Sequence, residues 1–125
     1  MFNILFLISA ILFVVIDYIY LNLMKNYFTN QVKIIQGSTL QINFLSALLC
    51  YIFLIFGLNY FIIKSNKSSY DAFLLGIIIY GVFETTNYAL FKKWSIYTVI
   101  IDTLWGGTLF AIVTFIINKL RILRL

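Results

Sequence analysis

Four stretches of the chain are apolar almost without interruption: Phe2–Met24, Leu40–Ile63, Tyr70–Phe91 and Ser95–Asn118. Each exceeds the roughly 20 residues a helix needs to cross a bilayer. Within hydrocarbon the backbone must satisfy its own hydrogen bonds, so runs of this length predict α-helices. Barrel strands would be shorter and would alternate polar with apolar positions, and neither pattern is present. The absence of Pro removes proline kinks, so fairly straight helices are expected. The polar breaks fall at Lys25–Thr39, Lys64–Ser69 and Lys92–Trp94, with a tail Lys119–Leu125. The two short breaks predict that spans 2 and 3, and spans 3 and 4, are antiparallel neighbours. The fold class that follows is all-α, an integral membrane four-helix up-down bundle, with residues 1–125 forming a single transmembrane domain.

Two segments need a closer reading. The first span has no Lys or Arg ahead of its apolar run, carries Asp17 and lacks a small-x-small cleavage pattern. It is therefore expected to stay as a helix and not to be removed as a signal peptide. In the first linker, Tyr27, Phe28, Val32 and Ile35 recur among polar residues. That spacing fits a short helix lying at the interface, and a plain loop fits it equally well. Gly37 and Ser38 would end such a helix before the second span.

Composition narrows the function classes. The chain is 63% hydrophobic and only 10% charged, against about 25% charged in a soluble domain. With no His and a single Cys, the usual zinc sets and the His-dependent nucleophilic dyads cannot be assembled. The net charge of +5 comes from bases at the span ends, which suits lipid headgroups and requires no nucleic acid. Lys64, Lys67, Lys119, Arg121 and Arg124 lie on one side, and Lys25, Lys33, Lys92 and Lys93 on the other. The excess of one leans towards cytoplasmic termini.

The acids are more informative. Asp71 stands at the start of the third span, where a negative charge complements a helix N-terminus. Asp17, Glu84 and Asp102 fall inside spans, each at a cost of about 2.5–3.5 kcal/mol on insertion scales. Asp17 and Glu84 each precede the end of their span by seven residues, and Asp102 follows the start of its span by seven. In an up-down bundle all three then lie about 10 Å below the same face. Helical spacing places Tyr80, Glu84 and Asn87 on one stripe, with Gly76, and Asp102 with Trp105 on another. Span 2 offers Asn43, Ser46, Ala47 and Cys50 to the same layer. These residues predict a polar pocket near one face, with Asp17, Glu84, Asp102, Asn87, Trp105 and Tyr80 as its candidate binding residues, and an opposite half that is nearly all aliphatic and Phe. Crowded carboxyls in low dielectric are expected to titrate as a set, at least one of them neutral unless a cation is bound.

Three functions compete. Acids without basic partners favour binding or conducting a cation, a proton or a polar lipid headgroup. A small membrane enzyme is the second reading, with the carboxyls as acid and base on a lipid or isoprenoid and the Trp105 π face steadying a carbocation. Carboxylates would accept a divalent cation, although the paired Asp-x-x-x-Asp spacing is missing, and no other cofactor is evident. The third reading is a structural subunit in which the polar layer only glues helices together. Blander roles compete at single positions: Trp94 as a belt anchor, Cys50 as a small buried residue, Gly106 and Gly107 as close-packing positions, Gly76 and Gly81 as a pairing face between copies.

The stretch from Tyr80 to Gly107 resembles the DUF2177 family of small four-span membrane proteins. The shared pattern is Tyr80-Gly81, then an acid-x-Thr-Asn at Glu84, Thr86 and Asn87, Trp94, and Asp-x-x-Trp-Gly at Asp102, Trp105 and Gly106. Asp17 and the run Asn26-Tyr27-Phe28 extend the resemblance into the N-terminal half. Glu84 stands where the family usually has Asp, and Tyr20 where members often have Trp. The resemblance implies a four-span membrane protein and points to the same acids, but it implies no mechanism.

Overall fold

The computed structural model describes residues 3–38 and 41–124. The predicted span starts at Phe2 and Leu40, the linker end at Thr39 and the tail end at Leu125 lie outside the described residues. Within them the chain forms α1 (Ile4–Leu23), α2 (Lys25–Gln36), α3 (Phe44–Leu58), a π-helical turn (Asn59–Ile63), α4 (Ser69–Leu90) and α5 (Ile96–Arg124). Four helical stretches are long and apolar enough to cross a membrane, α3 together with its π turn counting as one.

Local chemistry sets the helix ends. Asn3 caps α1 by accepting from the Phe6 amide at 2.9 Å. Asn43 caps α3 by accepting from Ser46 at 3.1 Å, and Ser68 caps α4 by accepting from the Asp71 amide at 3.1 Å. Such caps satisfy amides that a helix start leaves without partners. Asp71 lies in the first turn of α4, as its position in the sequence implies. The first linker is helical: α2 follows α1 after a break at Met24 and ends at Gly37, whose φ of 75° is left-handed. That conformation costs glycine little and most other residues more.

Two helices depart from expectation. Span 2 is not a uniform helix: its last turn is π-helical, and the Lys64 amide donates to the Asn59 carbonyl at 2.8 Å, a five-residue step that widens the turn. The chain then ends the helix through Asn66 at a φ of 56°, with the Lys67 amide donating to the Ile62 carbonyl at 2.9 Å, as in a Schellman cap. α5 has 29 residues, or about 43 Å at 1.5 Å per residue, more than the roughly 30 Å of hydrocarbon. The segment from Lys119, read as a tail, is helical, and Arg121 on it donates to the Ile63 carbonyl at 2.9 Å.

α5 is the central element, flanked by α4, α1 and the π turn. Its pairing with α4 is the most extensive in the bundle and depends on glycine. Gly76 lies against the Gly106 backbone, Gly106 lies under the Tyr80 ring, and Gly107 lies against Ile77 and Phe73. A Cβ at any of the three has no room, which is how small residues let membrane helices approach. Gly76 is thus used inside the chain and is not available to pair copies. The expected pairing of spans 2 and 3 is not among the extensive packings: α3 packs on α1, and its π turn packs on α5. A short linker constrains where helix ends lie, while the glycine face of α5 decides what α4 packs against. The core is built from Phe13, Leu58, Leu109, Phe110, Val113 and Ile117, all fully buried, with Phe13 edge-on to Phe110 at 5.5 Å. Leu7, Ile11, Phe53, Val82 and Phe83 are exposed on the outside, as a lipid-facing surface requires.

Candidate intramembrane carboxylate site

The three in-span acids come from three helices and differ in their surroundings. Asp17 on α1 is 7% exposed and Glu84 on α4 is 2% exposed, while Asp102 on α5 is half-buried. Asp17 is held from two sides. The Tyr51 hydroxyl donates to its Oδ2 at 2.6 Å and the Trp105 indole N–H to its Oδ1 at 2.9 Å. One carboxyl therefore joins α1, α3 and α5.

Asp102 and Glu84 face one another across the α4–α5 interface. The Trp94 indole donates to Glu84 Oε1 at 2.8 Å, and the Tyr20 hydroxyl donates to Asp102 Oδ1 at 3.4 Å. The Tyr20 ring stacks on Trp105 with centroids 4.4 Å apart and planes 4° from parallel. This stack links the Asp17 tie to the Glu84–Asp102 pair, and the Tyr20 phenol lies within electrostatic reach of all three carboxyls. Every donor to the acids is neutral. Among the described residues none of the three forms an ion pair, and no group of three or more metal-ligating side chains is assembled.

The other candidates are placed as follows. Trp105 holds Asp17. Tyr80 lies over Gly106, within electrostatic reach of Asp17 and Asp102. Asn87 is half-buried one turn beyond Glu84, and its side chain makes no hydrogen bond to the described residues. Asn43, Ser46 and Cys50 do not enter the layer: all three are exposed. Asn43 is occupied as a helix cap, and α3 turns Tyr51 inward in their place. Cys50 accordingly lies on the surface and not in the interior.

Several residues of the layer were hidden from sequence reasoning. Trp94, read as a belt anchor, spends its N–H on Glu84. Tyr51 carried no signal beyond being one of nine tyrosines. Gln31 is buried in α2 and ties that helix to the α4–α5 turn. Its Oε1 accepts from the Ser95 amide at 3.2 Å and from Thr98 Oγ1 at 2.9 Å, and its Nε2 donates to the Lys93 carbonyl at 3.1 Å. Tyr27 adds a bond to Thr98 at 2.8 Å. Gln31 thus caps the start of α5 from outside, and α2 covers the end of the bundle nearest the acids. The opposite half is less apolar than expected: buried Asn59 donates to Ser9 Oγ at 3.0 Å and to the Ile55 carbonyl at 2.9 Å.

The family profile described as "Predicted membrane protein (DUF2177)" matches residues 2–117. No curated protein matches the chain, and no solved structure does.

Proposed function

The chain belongs to the DUF2177 family of membrane proteins, and on that footing we propose that Glu84 and Asp102 form an exchangeable intramembrane site for a proton or a small cation, with Asp17 as a structural tie. The observation that carries this reading is the pair itself. Two carboxyls from neighbouring helices face each other with only neutral donors, Trp94 and Tyr20, against them. In a poorly solvated site two facing carboxyls repel one another when both are ionised, and a shared proton or a bound cation would relieve that repulsion. All nine bases lie in the flanks of the spans, and the compensating charge therefore has to come from outside the protein.

Asp17 differs because both of its oxygens already accept from a neighbouring helix. A ligand there would displace a bond that holds the bundle together. The parallel faces of Tyr20 and Trp105 lie beside the pair, and aromatic faces attract organic cations, so an amine-bearing headgroup is accommodated by the same chemistry.

Thermal unfolding of the purified protein in neutral detergent tests the reading, with sodium, magnesium or tetramethylammonium added at several pH values. A ligand at about ten times its Kd stabilises by about 1.4 kcal/mol. The wild type is expected to respond to protonation or to at least one cation, and Glu84→Gln and Asp102→Asn to lose that response while staying folded. An identical response in all three proteins would overturn the assignment.

A further inference from the structure

The far end of the bundle holds a second polar concavity, unrelated to the carboxylates. A cavity of about 380 Å³ lies where the start of α1, the π turn, the following linker and α5 meet, and its polar lining is Asn3, Asn59, Lys64, Asn66 and Arg121. Arg121 uses one Nη2–H to hold the Ile63 carbonyl at 2.9 Å, which fixes the guanidinium at the rim. The Lys64 ammonium lies 4.9 Å from the centroid of the Tyr60 ring. Neither cation has a carboxylate partner among the described residues. Asn3 spends its Oδ1 on the Phe6 amide, which leaves its N–H₂ end for a ligand. Asn59 has both amide hydrogens engaged by Ser9 and Ile55 and serves as wall.

A guanidinium held at the rim and a nearby ammonium, with amide donors and no acid among the described lining residues, are the complement of a phosphate. A second concavity of about 430 Å³, lined mainly by apolar Ile4, Phe6, Leu7 and Ala10, shares Asn3 and Phe6 with the first. A cationic pocket that continues into an apolar groove on the outside of a membrane helix matches an amphipathic anion better than a free one. We infer that this end of the bundle binds the phosphate of an anionic phospholipid, with the headgroup against Lys64 and Arg121 and an acyl chain along the α1 groove. The site does not depend on the carboxylate pair and can fail or hold independently of it.

Delipidated protein in neutral detergent, titrated with phosphatidylglycerol and with phosphatidylcholine of the same chains, provides the test, with glycerol 3-phosphate and inorganic phosphate as the headgroup-only arms. Saturable binding of phosphatidylglycerol is expected, at least tenfold tighter than that of the other three. Lys64→Gln should weaken it about fivefold, the effect of one basic residue near an anionic surface. Arg121→Gln should weaken it by as much or more. Lys33→Gln, on the other side of the membrane, should leave it unchanged. The Lys64 side chain, unlike that of Arg121, holds no backbone carbonyl among the described residues, so its variant decides the matter even if loss of Arg121 disturbs folding. Equal affinity for the two lipids, an unaffected Lys64→Gln, or an equal loss in Lys33→Gln would overturn the site. Inorganic phosphate binding as tightly as the lipid would overturn its assignment to a phospholipid.

Discussion

Replacing Tyr51 by Phe removes one oxygen atom and leaves the ring packed edge-on to Phe13, at 6.2 Å between centroids. What is lost is a single bond of 2.6 Å to Asp17 Oδ2. A hydrogen bond to a charged group contributes about 1.5–3 kcal/mol in soluble proteins. Between membrane helices the average is only about 0.6 kcal/mol and the maximum about 1.7, because the unfolded chain in lipid also finds partners. The short distance and the buried acceptor put this bond near the upper membrane value, so Tyr51→Phe is expected to cost about 1.5 kcal/mol. Reversible unfolding in mixed micelles, with helicity as the readout, measures it. The cycle with Asp17→Asn isolates the pair: Asp17→Asn should cost about 1 kcal/mol less in the Tyr51→Phe background than in the wild type. A Tyr51→Phe protein within about 0.3 kcal/mol of the wild type, or costs that simply add, would refute the structural role given to Asp17.

Four further outcomes are expected. Gly106→Ala drives a methyl into the Tyr80 ring and should destabilise the bundle by about 1–3 kcal/mol, whereas Gly57, with nothing near its missing Cβ, should accept Ala at no cost; both are read by the same unfolding assay. Gln31→Ala leaves the Ser95 amide and the Lys93 carbonyl without their partner, so amide exchange over residues 93–98 should rise by about tenfold, matching roughly 1.4 kcal/mol. Thr114 Oγ1 is buried without a hydrogen-bond partner among the described residues, and Thr114→Val should raise stability by about 1 kcal/mol. Reporter fusions at the two ends of the chain should both read out on the cytoplasmic side, as the one-charge bias implies, and two opposite readings would contradict the up-down topology.

The spans were legible because a bilayer imposes length and apolarity on any helix that crosses it, and the acids were legible because each is costly there. The glycines Gly106 and Gly107 on α5 announced close packing, and that is where it occurs, with Gly76 of α4, read as a face between copies, packed against Gly106. What the pattern could not supply was the arrangement around α5. Short linkers made spans 2 and 3 look like neighbours, yet the glycine face of α5 takes α4, and α3 is left on α1. The rotation of α3 was equally hidden: its polar residues Asn43, Ser46 and Cys50 suggested one inward face, while Tyr51, one position on, turns inward. Side chains that reach across helices, as Trp94 and Gln31 do, leave no periodic trace in their own segments. The π turn has no proline to mark it, and Asn59 at its start is an ordinary residue in sequence.

The carboxyl stretch in the infrared reports directly on whether Glu84 and Asp102 hold a proton between them. In the wild type at neutral pH a protonated-carboxyl band is expected that weakens as a bound cation replaces the proton, and that disappears or shifts in both Glu84→Gln and Asp102→Asn. A band that ignores both substitutions and every added cation, or one that moves only with Asp17→Asn, would contradict an exchangeable site at this pair.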